Sequence, residues 1–375
     1  MYPPPTSPPP RGSAGQTYRL GASGPAVAEI RHRLHRLGLL TEGHGDAFDD
    51  HVDQAVRQFQ QERGLSVDGI VGKQTFRMLE EARWRLGDRV MSFMPSHLMV
   101  GDDVLALQER LIGLGFSPGR PDGIFGRRTD HAVREFQLNT GLPTDGTAGP
   151  DTFRALSRLT RTVSGGASTL LREQQAFDVL RTGVTHKVVL IDAGPDHLRR
   201  GHVGHGLSEE DIAADIAVRV ERRLAALGTT VLVTGPARAG HTSFDESARA
   251  AIANEVSADA VVSLHCDTHP NPEANGMAAF YFGAVAAGGA RSVAGQTLAE
   301  LLLEEISVRS TARNCGAHPK SWELLRLTRM PCVHLDLGYL TNEQDAARLG
   351  DSDGRDQIAR AITAALIRFF APPPD

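Results

Sequence analysis

The feature that most constrains the fold is an internal repeat, in which residues 24–77 return at an offset of about 77 residues without a gap. The matched positions run from a Gly-x-x-Val opening to a glycine-rich turn and the helix after it. They are Gly24-x-x-Val27 with Gly101-x-x-Val104, Leu37-Gly38 with Leu114-Gly115, Ala55-Val56-Arg57-x-Phe59-Gln60 with Ala132-Val133-Arg134-x-Phe136-Gln137, and Asp68-Gly69-x-x-Gly72 with Asp145-Gly146-x-x-Gly149. Matching of this extent predicts two consecutive copies of one small folding unit.

Each copy has the periodicity of three short helices. In the first copy, apolar residues recur at helical spacing between residues 27 and 37. An Asp-Gly pair, Asp68-Gly69, predicts the turn before the third helix, because glycine accepts a positive φ. The second copy has this turn twice, at Asp122-Gly123 and at Asp145-Gly146, whereas the first copy has only an altered version of the earlier turn, at residues 45–49.

The G-x-x-V opening, the A-V-R-x-F-Q helix and the D-G-x-x-G turn resemble the peptidoglycan-binding domain 1 family, and both copies carry them. The resemblance implies three-helix modules that recognise wall glycan or stem peptide. A module can also be retained as a spacer that binds nothing, since a fold alone does not fix a function.

After the repeats, the pattern of apolar residues changes. A Ser-Gly-rich stretch within residues 161–185 predicts a flexible linker. Short apolar runs then alternate with helical patterns, which predicts an α/β domain with a mostly parallel, twisted sheet covered by helices on both faces. We therefore expect a multidomain chain, with a proline-rich disordered tail at 1–18, two small all-α modules of three helices at 19–84 and 95–160, the linker, and the α/β domain at 186–371.

Composition excludes several classes of protein. The formal net charge is −5 and no long basic run occurs, so a nucleic-acid partner is not expected. The three cysteines show no paired spacing, which argues against a disulfide framework. No run is apolar enough for a signal peptide or a transmembrane segment, so we expect a cytoplasmic protein, or a wall-associated one if it is exported by another route.

Four segments of the α/β domain bring polar residues to predicted strand ends and helix starts, where such sheets carry their chemistry. They are the Asp192-Ala193-Gly194-Pro195 turn, Ser208-Glu209-Glu210-Asp211 at the start of a helix, Ser263-Leu264-His265-Cys266-Asp267 ending a strand, and Val333-His334-Leu335-Asp336-Leu337-Gly338-Tyr339-Leu340-Thr341-Asn342.

Together these segments resemble the amidase-3 family, the zinc-dependent N-acetylmuramoyl-L-alanine amidases. The resemblance implies cleavage of the amide between the muramoyl lactyl group and L-alanine. It places Glu209 and His265 at two zinc-ligand positions and Asp336 at the general-base position. A catalytic zinc site of this kind needs three protein ligands and an open position for water.

Two positions depart from the family pattern. Pro195 stands at the first histidine ligand, and a proline side chain cannot bind a metal. Asp336 stands where the family has glutamate, one methylene longer. Zinc therefore remains possible with an incomplete site. His197, two residues beyond Pro195, is a possible substitute ligand, and a solvated loop histidine is the alternative.

These departures define three functional hypotheses. The first is a regulator of peptidoglycan synthesis that binds peptidoglycan fragments or precursor. The arrangement resembles a mycobacterial subgroup regarded as non-catalytic and cytoplasmic, which implies a partner among the synthetic enzymes such as MurA. The second is an active zinc amidase with a replacement ligand. The third is a structural wall-binding protein.

Overall fold

The computed structural model describes residues 17–159, 168–194, 201–235, 245–283 and 291–373. The chain divides into two compact units, Met1–Val163 and Ser164–Asp375. Nearly all of the proline-rich tail predicted for residues 1–18 lies outside the described residues.

The first unit contains the six helices that the two repeats predict. They are α1 (Pro25–Arg36), α2 (Asp50–Glu62), α3 (Lys73–Glu81), α4 (Asp102–Gly113), α5 (Arg127–Thr140) and α6 (Pro150–Arg158). Three residues of the apolar stripe of the first copy, Val27, Ile30 and Leu34, are at 0% exposure, and Leu37 at its end is partly buried. Helix α2 begins at Asp50, because Asp49 caps it by accepting a hydrogen bond from the backbone N–H of Val52.

A buried glutamine holds each Asp-Gly turn, and we call this arrangement the Gln-turn cluster. In the first module Gln60 donates to Asp68 Oδ1 at 2.8 Å, to the Ile70 carbonyl at 3.0 Å and to Thr75 Oγ1 at 3.2 Å. Its own oxygen accepts from Gly69 N at 2.9 Å. Gly69 has φ 72°, and a Cβ there would lie 2.3 Å from an oxygen of Asp53, so only glycine fits. The second module has two such clusters, at Gln108 and Gln137.

The altered turn of the first module is held by Arg31, which occupies the position of Gln108 in the repeat. The Arg31 guanidinium donates to the Ala47 carbonyl at 2.9 Å and to the His44 carbonyl at 2.9 Å. It also binds Asp49 at 2.7 Å, and this hydrogen bond lowers the pKa of Asp49. A longer cationic side chain thus replaces the glutamine where the Asp-Gly pair is missing.

The second unit is an α/β domain around one six-stranded sheet. Its elements are α7 (Ser168–Leu180), β1 (Val188–Ala193), β2 (Val203–Gly204), β3 (Leu207–Ser208), α8 (Glu209–Ala225), β4 (Thr230–Thr234), α9 (Glu246–Glu255), β5 (Ala260–Asp267), β6 (Met277–Phe282), α10 (Val293–Arg309), β7 (Asn314–Lys320), α11 (Glu323–Leu327), β8 (Cys332–Tyr339), α12 (Glu343–Gly350) and α13 (Ser352–Phe370). The strand order is β4-β1-β5-β8-β6-β7, and β2 pairs separately with β3. All neighbouring pairs of the six-stranded sheet are parallel except β6 with β8. The prediction of a mostly parallel sheet is confirmed.

Helices cover both faces of this sheet, as predicted. The larger core includes apolar side chains of α8, α10 and α13, such as Ile216, Leu302 and Ile362. The opposite face carries a smaller core with Ala253 of α9 and Leu325 of α11. On this second face, α9 and α11 do not cover the carboxyl ends of β1, β5 and β8. The side chains at these strand ends are polar.

The segment predicted as a flexible linker, residues 161–185, contains a helix. Helix α7 packs on the α/β domain, because the Phe177 ring stacks on Phe369 of α13 with centroids 4.9 Å apart. Arg181 donates to the Ala371 carbonyl at 2.9 Å. The Ser-Gly composition predicts a linker although the segment includes Phe177, which is buried. Residues 160–167 lie outside the described residues. No described helix is both long and apolar enough to span a membrane.

Candidate functional site

Strand register places the two candidate strands' polar residues side by side on the sheet face that α9 and α11 leave open. Ser263 of β5 is the partner of His334 of β8, and His265 is the partner of Asp336. Side chains two residues apart on a strand point to the same face. All four side chains therefore lie on one face of the sheet, and we call the space above them the cleft.

Glu209 reaches this cleft from the first residue of α8 and is 2% exposed. Its Oε1 lies 2.9 Å from Nδ1 of His265. Its Oε2 accepts a hydrogen bond from the backbone N–H of His202 at 2.9 Å. Burial acts to raise the pKa of Glu209, but the hydrogen bond and charge of His265 outweigh it, and the pKa is lowered. The structure thus brings the two predicted ligand positions, Glu209 and His265, into direct contact.

The other ring nitrogen of His265 also has a protein partner. Its Nε2 lies 2.7 Å from the Ser263 hydroxyl, which donates to Asp192 Oδ2 at 2.5 Å. Because the Ser263 proton is used toward Asp192, the Ser263 oxygen accepts from His265. Both ring nitrogens are then engaged by protein oxygens.

Asp192 lies at the floor of the cleft and is fully buried. It accepts hydrogen bonds from Arg249 at 2.7 Å, from Thr234 at 2.7 Å and from Ser263. Arg249 also donates to the Gly194 carbonyl at 3.0 Å. A buried carboxylate and guanidinium therefore support the strand on which His265 lies.

Asp336, at the general-base position, is paired with a histidine of its own strand. Its Oδ1 lies 2.9 Å from Nε2 of His334. Burial acts to raise the pKa of Asp336, and the charge and hydrogen bond of His334 outweigh it and lower the pKa. Burial also lowers the pKa of His334. The His334 ring stacks on the His265 ring with centroids 3.9 Å apart and planes 5° apart.

The loop histidines are distributed unevenly around this cluster. Pro195, at the first ligand position, and His197, the possible substitute, lie outside the described residues. His202 has its Nδ1 2.8 Å from the Thr268 hydroxyl and its Nε2 3.6 Å from Asp267. Across the ranges that the structure describes, no group of three His, Cys, Asp or Glu side chains could hold a metal ion.

Reasoning from the sequence misses His334 as a member of this site, since its position in an alternating strand is that of an ordinary strand residue. Asp267 belongs to a segment that the sequence marks as a candidate, but the sequence assigns it no role; burial raises its pKa at the rim of the cleft. Side chains along a strand alternate between the two faces of the sheet, so residues two apart share a face. His334 lies two residues before Asp336, and Asp267 lies two residues after His265.

Comparison with known proteins gives matches to both parts of the chain. A family model described as N-acetylmuramoyl-L-alanine amidase matches residues 189–368. A family model described as a peptidoglycan binding domain matches residues 23–79 and 100–156. These ranges follow the two repeats and the α/β domain.

Individual relatives match different shares of the chain. The chain is 42% identical to the N-acetylmuramoyl-L-alanine amidase CwlM of Mycobacterium tuberculosis, over 97% of this chain and 92% of that protein. It is 25% identical to the amidase LytC of Bacillus subtilis, over 51% of this chain and 37% of LytC. Among solved structures, the amidase AmiC2 of Nostoc punctiforme is similar at 29% identity and a TM-score of 0.43, covering 49% of this chain and 96% of AmiC2.

Proposed function

Because the chain belongs to the N-acetylmuramoyl-L-alanine amidase family and carries two peptidoglycan-binding modules before its amidase domain, we propose that it recognises peptidoglycan fragments or precursor without cleaving them. In this proposal the amidase domain serves as a recognition domain of a regulator of peptidoglycan synthesis. Its protein partner is an enzyme of precursor synthesis such as MurA, which places its action in the cytoplasm.

The observation that carries the proposal is the donor set of the cleft. A catalytic zinc ion takes three protein ligands. Glu209 and His265 are the two that converge, and the third position is Pro195, whose side chain has no donor atom. Both ring nitrogens of His265 already contact oxygens of Glu209 and Ser263. Among the residues that the structure describes, the donors present do not complete the zinc site of the family.

The general-base position supports the same conclusion. Asp336 is one methylene shorter than the family glutamate, and its carboxylate is paired with His334. A general base has to lie within hydrogen-bond reach of the proton that it accepts. A shorter side chain held against its own strand is poorly placed for that role.

An active zinc amidase is the second candidate function. It is favoured by the retained Glu209–His265 contact and by the M. tuberculosis relative, which is named an amidase. This candidate requires a third ligand, for which His197 is the proposal from the sequence. A structural wall-binding protein is the third candidate, supported by the two modules alone.

Zinc content tests the proposed function. We expect the purified chain to retain no zinc after dialysis, while still binding soluble muropeptides in calorimetry. The double variant Pro195→His with Asp336→Glu is expected to take up one zinc ion per chain, because it restores the family donor set.

The matched control is Pro195→Ala with Asp336→Glu, which removes the proline without adding a ligand and should stay free of zinc. One tightly bound zinc ion in the unaltered chain, lost in His197→Ala, would replace the first proposal with the second. Absence of muropeptide binding would contradict the recognition role.

A further inference from the structure

The six-stranded sheet ends in two edge strands, β4 on one side and β7 on the other. An edge strand exposes backbone N–H and C=O groups that can pair with another chain, and proteins usually obstruct such pairing with lysine, proline or a bulge. Strand β7 has these features: Pro319 and Lys320 lie at its end, and its register with β6 shifts between Met277 and Ala279. The β7 edge is therefore protected against pairing with another strand.

Strand β4 has none of these features. Its sequence is Thr-Val-Leu-Val-Thr, without a charged residue, a proline or a glycine. It pairs with β1 in an unbroken parallel register, and all five of its side chains are exposed or partly exposed. In the part of the chain that the structure describes, no strand other than β1 pairs with it. An edge of this kind favours pairing with a strand of another chain.

Alternate residues of β4 direct their backbone groups toward this outer edge. The Thr230 N–H donates to the Lys187 carbonyl at 2.8 Å, so the backbone groups of Thr230 point toward β1. Backbone groups alternate in direction along a strand, so those of every second residue after Thr230 also point toward β1. The N–H and C=O groups of Val231 and Val233 therefore face the outer edge of the sheet.

The sequence of β4 is the same in both directions, with Leu232 at its centre. If two copies pair antiparallel about a two-fold axis at Leu232, Val231 of each copy lies opposite Val233 of the other, and Thr230 lies opposite Thr234. Each Val231–Val233 pair then exchanges two N–H···O=C hydrogen bonds, because these residues carry the outward-facing groups. Leu232 faces its own copy in a non-hydrogen-bonded pair, where antiparallel side chains lie closest. The backbone directions and the sequence symmetry therefore select the same register.

Charge and packing also favour a second copy of this chain as the partner. A two-fold interface brings a residue near the axis against its own copy, so a charged residue there would face a like charge. Strand β4 contains no charged residue. Val231 and Val233 pack on the larger core of the domain. Leu232 points to the opposite face and is partly exposed, so it gains apolar burial against its own copy.

We propose that the chain forms a two-fold dimer by antiparallel pairing of its β4 edges, which joins the two six-stranded sheets into one continuous sheet. Two short strands bury little area, so the dimer is weak, with a Kd on the order of 10 µM. The inference is independent of the proposed function, since it concerns the edge of the sheet and not the cleft.

Sedimentation velocity of the full chain, over concentrations that bracket this Kd, tests the dimer. We expect the mass to rise from that of one chain to that of two. Leu232→Lys and Leu232→Glu each place like charges opposite each other, and each should weaken association by about tenfold. An equimolar mixture of these two variants should recover dimers, because lysine then faces glutamate. The matched control is Val179→Lys, which changes a valine of α7 that is 76% exposed and should leave association unchanged.

Val231→Pro tests the hydrogen bonds while keeping the strand uncharged. It removes an N–H that faces away from β1, which an edge strand tolerates. Because the two copies together lose two hydrogen bonds, association should weaken by about tenfold. Thermal unfolding of each variant at low concentration shows that the monomer remains folded.

Cysteine substitution tests the register. In a Cys315→Ser background, which removes the exposed native thiol, Leu232→Cys should form an intermolecular disulfide on mild oxidation. Only the residue on the two-fold axis lies opposite itself. Val231→Cys should therefore stay unlinked, since Val231 lies opposite Val233 of the other copy.

A chain that stays monomeric throughout the concentration range overturns the dimer. Association that Leu232→Lys, Leu232→Glu and Val231→Pro all leave unchanged occurs at another surface, and this result overturns the dimer as well. Cross-linking of Val231→Cys in preference to Leu232→Cys contradicts the antiparallel register on which the proposal rests.

Discussion

The repeated modules and the α/β domain both bury polar side chains, but they use them differently. In the modules each buried glutamine is satisfied by one nearby turn, as Gln60 is by residues 68–75. In the α/β domain, residues distant in sequence meet in one network, in which Asp192, Ser263, His265 and Glu209 are linked in series. The local clusters determine the shape of a turn, whereas the long-range network lines a cleft.

The two modules also differ from each other in how one turn is held. The second module uses Gln108 with an Asp-Gly pair, and the first uses Arg31 with Asp49. In the first module Arg31 therefore takes the place of the glutamine where the Asp-Gly pair is missing. Among the described residues of the cleft, no group of three His, Cys, Asp or Glu side chains could hold a metal ion.

The largest expected effect is in the cleft network. Asp192→Ala leaves the buried Arg249 without its carboxylate, and loss of one partner from a buried ion pair costs about 3–5 kcal/mol. Urea unfolding followed by Trp322 emission in a Trp84→Phe background measures it. Asp211→Ala, an exposed aspartate of α8, is the control and should change stability by less than about 0.5 kcal/mol. Equal effects of the two substitutions would mean that the network is not coupled to the fold.

The second effect concerns the local clusters. Gln60→Leu leaves the Gly69 N–H and the Ile70 carbonyl without their side-chain partner, and we expect a loss of about 3 kcal/mol from the first module. Unfolding followed by Trp84 emission in a Trp322→Phe background reports it. The adjacent exposed residue provides a control of the same type: Gln61→Leu should have little effect. A small loss for both would show that the cluster contributes little.

The third effect tests the compensation by Arg31. Arg31→Gln introduces the residue of the second module into a turn without the Asp-Gly pair, so we expect a loss of about 1–2 kcal/mol. The same urea measurement decides the matter, and an unchanged stability would contradict the role of Arg31 in holding this turn.

The smallest effect is a dependence of domain stability on pH. Burial acts to raise the pKa of Glu305, but its hydrogen bonds with Arg368 and Arg309 outweigh it and lower the pKa. A carboxyl group whose pKa is lower in the folded state stabilises the fold above its unfolded pKa. That stabilisation is lost as pH falls through the folded pKa, below about pH 4.5.

Glu305→Gln should therefore flatten the decline in stability between about pH 5 and about pH 3, by about 1 kcal/mol. Thermal unfolding across this range is the measurement. Glu304→Gln is the control, since Glu304 is more exposed and binds only the same Arg368, and it should change the slope less. A slope unchanged by Glu305→Gln would show that this ion pair does not contribute to the pH dependence of stability.

Much of this structure is predictable from the sequence, for physical reasons that differ by region. The repeat determines the modules because Gly69 and Gly146 need a positive φ, which leaves a recognisable glycine pattern. Apolar runs predict β1, β5 and β8, since buried parallel strands are continuously hydrophobic. No apolar run predicts strand β7, because its sequence, Asn-Cys-Gly-Ala-His-Pro-Lys, is that of a partly exposed edge strand.

The sequence predicts where the candidate site lies but not all of the residues that form it. The family resemblance indicated Glu209, His265 and Asp336, and the structure brings Glu209 and His265 into contact, with Asp336 on the neighbouring strand. The pairing of Asp336 with His334 depends on side-chain rotamers, which no spacing rule supplies. The sequence does not predict helix α7, because among its described side chains only Phe177 is buried.

Amide hydrolysis tests the central claim most directly. Purified full-length protein, with zinc added, is incubated with soluble muropeptides, and free stem peptide bearing an L-alanine amine is quantified. The account predicts none, and predicts cleavage only after Pro195→His with Asp336→Glu restores the family donor set. Cleavage by the unaltered chain that disappears in Glu209→Ala and His265→Ala would contradict it, since a working metal centre would then exist in this cleft.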